Sequence, residues 1–304
     1  MLFQLSYINN MKIEYSNPII DKYLADPFIL KVGVEYFLFA TGKAEDERFL
    51  PIYKSADLLK WEFVRGAVEK GGEASSWNRR NFWAPEVIFL EGKYHLYYTA
   101  MPDGTPKNTG NRVGLAVSNS PEGPYEDVGV VVPHASIDGS PFVDDDGTLY
   151  MYYTIEHGNH DGLKAGQIYV DKMLSPSKVS GKPVQLISHH NWQEGPCMFH
   201  KNKSYILTYS TGAWTNDTYN VRWAIGNSPI GPFTEQENII LKSTDLVKGP
   251  GHHNLFEGPD KKTWIIYHGW DPAFKGRLPR IDPLIADEKG LSCNGPTLGK
   301  QVIP

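Results

Sequence analysis

The sequence has 304 residues, of which 40% are apolar and 12% aromatic, and its formal net charge at pH 7 is −5. This length and apolar content suffice for a large buried core. The acidic balance and the lack of a long Lys/Arg block argue against a nucleic acid or an anionic membrane as partner, and they favour a neutral small molecule.

The start of the chain and the cysteines carry little structural information. The N-terminal segment MLFQLSYINNMKIEYSNP has no basic leader followed by an apolar stretch and a small-residue cleavage site. No run reaches the roughly 18 apolar residues that a membrane span needs, so we expect a cytoplasmic protein with no membrane-spanning segment. Cys197 and Cys293 are the two cysteines, and they predict neither a disulfide framework nor a paired-cysteine metal site.

Short segments rich in Val, Ile, Tyr, Phe and Trp alternate with frequent Gly and Pro, which predicts β-strands throughout the chain. In chain order the same unit occurs five times, as ADPFILKVGVEYFLFAT from Ala25, WAPEVIFLEGKYHLYYT from Trp83, IDGSPFVDDDGTLYMYYT from Ile137, QEGPCMFHKNKSYILTYS from Gln193 and GHHNLFEGPDKKTWIIYH from Gly251. Each unit is a strand, a polar turn and a second strand that ends in aromatic residues and a small polar residue. The acidic run DDDG, Asp144 to Gly147, falls between two such strands and reads as a hairpin turn.

The spacing of the units predicts the architecture. The second residue of each quoted segment is taken here as the start of the unit. These five residues follow one another at intervals of 54 to 58 positions: Asp26, Ala84, Asp138, Glu194 and His252. A period of about 55 residues suits a four-stranded blade. We therefore predict an all-β, five-bladed β-propeller in a single domain, residues 1–304, with residues 1–15 as a loosely attached N-terminal segment. A solenoid or a pair of β-sandwiches is the alternative, because a period does not prove ring closure; closure is favoured because it protects strand edges.

In a closed ring the unit starts converge, and three carboxylates and an imidazole meet in one pocket. Each acid precedes a Pro or Gly and is explained alone as a turn residue. Turn chemistry, however, does not require an acid or His at the same position in four units of five, and converging carboxylates repel each other. Two or three carboxyl groups in one pocket suit glycoside hydrolysis, which needs a protonated acid and an ionised base.

Three tryptophans near the unit starts, Trp83, Trp192 and Trp214, are candidates for stacking against sugar rings. The alternative for each of them is packing between blades, because large aromatic side chains also dominate protein cores.

Six segments, in order from Asp26 to about Leu284, resemble glycoside hydrolase family 43, five-bladed propellers that act on glycans containing arabinose and xylose. They are ADPFIL, RNFWAPEV, SIDGSPFVDDDGTLYMYY, QEGPCMF, GPGHHNLF and GRLPRIDPL. The resemblance implies an inverting mechanism with Asp26 as general base and Glu194 as general acid. It also implies that Asp138 raises the pKa of the acid and orients it.

The resemblance further implies that His252 faces the channel and helps to hold a largely water-coordinated calcium ion, with His253 as the alternative if the register slips by one. Calcium prefers oxygen ligands, so water would supply most of its shell. Arg277 matches the arginine that the family places on the sugar hydroxyls, and Arg280 is the alternative. Glu86 lies two residues past a unit start, and its contact with substrate is left open.

The sequence thus predicts an inverting exo-glycosidase that removes terminal α-L-arabinofuranosyl or β-D-xylosyl units from short oligosaccharides, its expected small-molecule partner. Arabinose is weakly favoured because GPGHHNLF and GRLPRIDPL are more similar to arabinan-acting members of the family. The alternatives are an endo-1,5-α-L-arabinanase and a sugar-binding propeller without catalysis. The preferred pentose and the oligomeric state do not follow from the sequence.

Overall fold

The computed structural model describes residues 12–106, 109–157, 162–201 and 203–303, and these residues form β-strands and turns without a helix. The described residues consequently contain no helix long and apolar enough to cross a membrane. The prediction of an all-β chain is confirmed. Residues 1–11, most of the predicted N-terminal segment, lie outside the described residues.

The strands form five antiparallel sheets, here called blades I to V, and one two-stranded ribbon. The strand β1 (Ile13–Asn17) precedes the blades. Blade I contains β2 (Ala25–Val32), β3 (Glu35–Thr41), β4 (Phe49–Ser55) and β5 (Glu62–Val68). Blade II contains β6 (Arg80–Leu90), β7 (Lys93–Met101), β8 (Arg112–Ser118) and β9 (Glu126–Val130). Blade III contains β10 (Ser136–Val143), β11 (Leu149–Ile155), β12 (Gln167–Ser175), β13 (Lys178–Val179) and β14 (Val184–Gln185). Blade IV contains β15 (Gln193–Lys201), β16 (Ser204–Thr211), β17 (Asn220–Gly226) and β18 (Phe233–Glu235). Blade V contains β19 (Lys248–Glu257), β20 (Thr263–Trp270), β21 (Arg277–Asp287) and β22 (Gly290–Cys293), and β23 (Gly299–Ile303) follows it.

The blades form a closed ring. Within each blade consecutive strands are neighbours, and in blade III both β13 and β14 pair with β12. The first strand of every blade contacts the first strand of the next blade, and β19 of blade V contacts β2 of blade I. This arrangement confirms the five-bladed β-propeller and excludes the open solenoid and the pair of sandwiches.

The first and last strands of the chain fasten the ring beside blade V. β1 pairs antiparallel with β23, from Ile13 opposite Ile303 to Asn17 opposite Gly299. The side chain of Asn17 donates to the carbonyl of Ile281 at 2.7 Å and accepts from its amide at 2.9 Å. Residues 13–15 of the predicted N-terminal segment are therefore part of a paired strand.

The hydrophobic core is divided into five clusters, each of which lies between two adjacent blades. Phe39 of blade I packs with Tyr98 of blade II in one cluster, and Leu38 of blade I packs with Phe256 of blade V in another. Both faces of a blade are consequently buried, which is why the middle strands are apolar along most of their length. The aromatic residues of the repeat thus hold neighbouring blades together.

A β-bulge interrupts the first strand of every blade near its start. The residues with positive φ at these bulges are Asp26 (49°), Ala84 (47°), Asp138 (61°), Gly195 (56°) and His252 (45°). Glu194 is paired with Ser210, as Ala25 is with Thr41, so it stands one residue before the bulge. The prediction that Glu194 occupies the same position as Asp26 and Asp138 is therefore wrong by one residue. The intervals between the units vary from 54 to 58 positions, so they do not reveal an offset of one residue.

Side chains from the preceding blade hold most of these bulges. The bulge amide donates to a polar residue at or near the end of the second strand of that blade. The pairs are Ala84 with Thr41 Oγ1 (2.9 Å), Asp138 with Thr99 Oγ1 (3.1 Å), His252 with Ser210 Oγ (2.8 Å) and Asp26 with His268 Nδ1 (3.2 Å). A left-handed backbone costs a non-glycine residue about 1–2 kcal/mol, and it persists where surrounding contacts fix it. The small polar residues of the repeat thus fix the bulges from which the site is built.

Candidate active site

A cavity of about 390 Å³ lies where the bulges meet, and residues of all five blades line it. Its walls are formed by Asp26, Thr41, Trp83, Ile137, Asp138, Glu156, Trp192, Glu194, Trp214, His252 and Arg277. The structure thus brings together all eight residues that the sequence singled out for catalysis, substrate binding or metal binding.

Asp26 is surrounded by positively charged and hydrogen-bonding groups. Its Oδ2 accepts a 2.5 Å hydrogen bond from Thr41 Oγ1, and its Oδ1 lies 3.3 Å from Arg277 Nη1 and 3.4 Å from His252 Nδ1. Burial alone would raise the pKa of Asp26, but the charges of His252 and Arg277 outweigh it and hold the pKa well below its usual value. Asp26 is therefore ionised at any ordinary pH.

Asp138 stands at the matching position of blade III, and its pKa is shifted in the opposite direction. Its Oδ2 accepts from the Gly195 amide at 3.0 Å. Burial raises the pKa of Asp138 to about 7; the imidazole of His252 opposes this rise, and the negative charge of Glu194 adds to it. Asp138 is therefore partly protonated near pH 7.

Glu194 is fixed by a donor on each oxygen. Tyr219 Oη donates to Oε1 at 2.6 Å, and the Trp192 indole nitrogen donates to Oε2 at 2.5 Å. A Cβ at Gly251 would lie 2.2 Å from the ring carbon Cε1 of Tyr219, so the glycine makes room for this ring. Trp192, predicted as a stacking surface, therefore also positions a carboxyl group.

Tyr219 was not predicted. It lies in the connection just before β17, outside the repeated units, and nothing in its local sequence distinguishes it from the other tyrosines. Its ring stacks on His268 with centroids 5.8 Å apart. Because the Asp26 amide donates to His268, one line of contacts links Glu194 to Asp26 through Tyr219 and His268.

The residues near His252 do not fit a calcium ion held by side chains. Calcium takes six to eight oxygen ligands, whereas no three His, Cys, Asp or Glu side chains of the described chain segments are placed to hold a metal ion. His252 Nδ1 faces Asp26 Oδ1 at 3.4 Å. His253, the alternative ligand, is buried with Nε2 2.7 Å from Thr208 Oγ1 and does not line the cavity. No step of the mechanism below therefore uses a metal.

Arg277, and not Arg280, reaches the cavity. The guanidinium carbon of Arg277 lies 4.4 Å from the ring centre of Trp214, and Arg277 Nε donates to Tyr23 Oη at 2.9 Å. Arg280 is buried and lines a different depression, which Asn17 and Leu278 also line. Arg277 is thus the arginine that is placed to contact a bound molecule.

Two further acids border the site. Glu156, which the sequence did not single out, directly follows β11, lines the cavity and accepts from Asn111 Nδ2 at 2.6 Å. Glu86 does not line this cavity, and burial raises its pKa to about 8, so that it is mostly neutral at pH 7. Among the acids near the cavity, Asp26 is the one whose surroundings most clearly favour the charged form.

This arrangement contains the elements of acid–base chemistry on a neutral substrate. It combines an ionised carboxylate, a buried carboxyl group whose pKa is raised to about 7 and aromatic walls. In many enzymes, two carboxyl groups whose surroundings shift their pKa values in opposite directions serve as the base and the acid. They can deprotonate a water molecule on one side of a bound molecule and protonate a leaving oxygen on the other.

Comparison with known proteins agrees with this chemistry. The model of the family "Glycosyl hydrolases family 43" matches residues 15–291. A β-D-galactofuranosidase of Aspergillus niger is 30% identical over 90% of this chain and 83% of its own length. An extracellular endo-α-(1→5)-L-arabinanase of Thermotoga petrophila is 27% identical over 87% of this chain and 69% of its own length. The crystal structure of a thermostable family-43 glycoside hydrolase, 30% identical, superposes with a TM-score of 0.82 and covers 93% of this chain and 96% of that one.

Proposed function

The chain belongs to glycosyl hydrolases family 43 and is a glycoside hydrolase with a carbohydrate substrate, and from this premise we propose that it is an inverting exo-glycosidase. Its proposed reaction is the removal of terminal α-L-arabinofuranosyl or β-D-xylosyl units from short pentose oligosaccharides. The observation that carries the proposal is the contrast between two carboxyl groups in one cavity: the pKa of Asp26 lies well below its usual value, whereas burial raises the pKa of Asp138, beside Glu194, to about 7.

In the proposed mechanism Asp26 accepts a proton from a water molecule whose oxygen attacks the anomeric carbon. The bond from that carbon to the leaving oxygen breaks, and Glu194 gives its proton to this oxygen. Asp138 accepts from the amide of Gly195, the residue that follows Glu194, and so helps to orient the acid. One displacement with water on the opposite face inverts the anomeric configuration.

Substrate positioning is assigned to four side chains. Trp83, Trp192 and Trp214 offer apolar ring surfaces to the faces of a sugar, and Arg277 offers N–H donors to its hydroxyls. The ion pair of Arg277 with Asp26 gives the arginine a second effect, because it also keeps the base charged.

The choice of a terminal pentose is supported by relatives whose names include xylosidase and arabinosidase, such as the Bacteroides ovatus xylosidase/arabinosidase, 25% identical over 85% of this chain. An endo-1,5-α-L-arabinanase is the second candidate. The Thermotoga petrophila arabinanase, which matches 87% of this chain, supports it.

A substrate screen tests the proposal. The purified protein is incubated with nitrophenyl α-L-arabinofuranoside, β-D-xyloside and β-D-galactofuranoside and with linear arabinan, and Asp26→Asn serves as the inactive control. Release of free pentose from chain ends, with an inverted anomer in the initial product by NMR, is the expected result. Interior cleavage of arabinan identifies the endo enzyme. Cleavage of none of the four substrates rejects the proposed reaction, and binding of the oligosaccharides without cleavage would indicate a sugar-binding module. Full activity of Asp26→Ala and Glu194→Ala would exclude these two residues as base and acid.

A further inference from the structure

We propose that an exposed group of aromatic side chains beside the cavity, the aromatic rim, binds a further sugar ring of an oligosaccharide whose end occupies the cavity. The rim consists of Tyr23, Trp214, Trp270 and Phe274. This inference rests on the proposed function, and it identifies the preferred substrate as an oligosaccharide long enough to extend beyond the cavity.

The rim is continuous with the cavity. Trp214 and Trp270 are nearly parallel, with ring centres 6.3 Å apart, and the Trp270 indole donates to the Trp214 carbonyl at 2.7 Å. Phe274 and Tyr23 flank Trp270 at 5.8 and 6.4 Å. Because Trp214 also lines the cavity, a chain of sugars that leaves the cavity on this side passes directly onto the rim.

The rim is open to solvent although it is apolar. Tyr23, Trp214 and Phe274 are 50%, 42% and 37% exposed. Grouped exposed aromatic side chains of this kind mark binding surfaces more often than isolated ones do. Their ring faces suit the apolar faces of sugars. None of the four side chains carries a charge that would attract a charged ligand. The chemistry therefore favours a neutral sugar.

The turn that carries Phe274 is built to present this ring. Phe274 has a φ of 55°, which is unfavourable for a bulky residue. Asp271 holds the turn: its Oδ1 accepts from the amides of Ala273 and Lys275 at 2.9 and 3.1 Å, and its carbonyl accepts from the Phe274 amide at 3.0 Å. A strained backbone that is fixed to expose an apolar ring is expected at a ligand contact.

Arg277 packs against three of the four rings of the rim. Its guanidinium carbon lies 4.4, 5.4 and 5.8 Å from the ring centres of Trp214, Tyr23 and Trp270. Since Arg277 is nearly buried and is also held by Asp26, three rings of the rim are anchored to the catalytic centre. The surface is thus ordered before a ligand arrives, which lowers the entropic cost of binding.

The test compares Phe274→Ala with the matched control Phe89→Ala. Phe89 is another exposed phenylalanine, 54% exposed, but it lies on β6 of blade II and does not line the cavity. The kcat/KM of each variant is measured on a nitrophenyl pentoside and on unlabelled pentose oligosaccharides of two to five units. Phe274→Tyr retains the ring and serves as the conservative variant, and thermal melts confirm folding.

Phe274→Ala is expected to lower kcat/KM on the longer oligosaccharides about tenfold, the effect of losing roughly 1.4 kcal/mol of binding, and to leave the nitrophenyl pentoside unchanged. Phe274→Tyr and Phe89→Ala are expected to match the wild type. An equal loss on all substrates, or no loss on any, overturns the proposal. A wild-type dimer that Phe274→Ala converts to a monomer in sedimentation analysis also overturns it, because the rim is then an interface between two copies.

Failure of the proposed function gives a different result. If the wild type cleaves no glycoside, tryptophan fluorescence titration with the same oligosaccharides still tests the rim. Binding that strengthens with chain length in the wild type, and does not in Phe274→Ala, supports the rim independently of catalysis. Binding that is absent, or that does not depend on Phe274, rejects it.

Discussion

Asp26 and Asp138 stand at the same position of blades I and III, and they are buried to the same degree on backbones with nearly the same φ. Their charge nevertheless differs. Arg277 and His252 hold the pKa of Asp26 well below its usual value, whereas burial and the neighbouring Glu194 raise the pKa of Asp138 to about 7. The repeat therefore determines where a carboxyl group lies, and side chains from neighbouring blades determine whether it is ionised.

The strongest test of this difference is to replace the carboxyl group on each side of the cavity by an amide. Asp26→Asn removes the base and is expected to lower kcat about 10³- to 10⁴-fold on every cleavable glycoside, the usual range for a general base. Glu194→Gln removes the acid and is expected to cause a similar loss only where the leaving group needs a proton. The measurement is kcat on alkyl and dinitrophenyl pentosides, which have poor and good leaving groups.

The contrast between the two variants is the informative quantity. If Glu194→Gln loses as much activity on the dinitrophenyl substrate as on the alkyl substrate, the assignment of Glu194 as acid is wrong. If Asp26→Asn retains activity on the dinitrophenyl substrate alone, the roles of the two sides are exchanged.

A smaller effect is expected from the hydrogen bond that orients the acid. Tyr219→Phe keeps the ring that stacks on His268 but removes the donor to Glu194 Oε1. We expect a 10- to 100-fold loss of kcat on the alkyl pentoside and a loss of less than threefold on the dinitrophenyl pentoside, because a misplaced acid affects only reactions that need it. Tyr209→Phe, in the same blade but away from the cavity, is the control. Equal losses on both substrates would show that Tyr219 has a structural role.

The location of the site, but not its detailed arrangement, could be predicted from the sequence. The five repeats are visible because each blade buries both faces, so its strands are apolar and aromatic and its polar ends stand out. Asp26, Asp138 and His252 lie at the ends of such strands, and their convergence follows from ring closure. This part of the prediction depends on periodicity, which a single sequence contains.

The register of Glu194 and the role of Tyr219 were not visible for physical reasons. Ile137 and Thr154, which are paired in blade III, are 17 positions apart, whereas Glu194 and Ser210, which are paired in blade IV, are 16 apart. The repeat therefore aligned Glu194 with Asp138 and not with Ile137, its structural equivalent. The position of Tyr219 depends on the space left by Gly251, more than thirty residues later in the chain. The ionisation of Asp26 likewise depends on Arg277, which follows it by about 250 residues. Contacts of this kind follow from tertiary packing and leave no local pattern.

The smallest of the expected effects concerns pH, and it tests the two sides of the cavity together. The base must be ionised, and the pKa of Asp26 lies well below its usual value, so kcat/KM on an alkyl pentoside should stay level as the pH falls from 6 to about 4.5. On the alkaline side, Asp138 loses its proton as the pH rises through about 7, the value to which burial raises its pKa. Above this value kcat/KM should fall up to tenfold per pH unit.

Asp138→Asn should change the fall in kcat/KM above pH 7, the alkaline limb of the profile. It should leave kcat/KM level between pH 6 and about 4.5. Asp138→Asn removes the group whose pKa is about 7, so the fall in kcat/KM should no longer begin near this pH. A dinitrophenyl pentoside, which needs no acid, should show no alkaline limb with either protein. If the limb stays near pH 7 in Asp138→Asn, the proton comes from another group, and Glu86, whose pKa burial raises to about 8, is then the first residue to substitute.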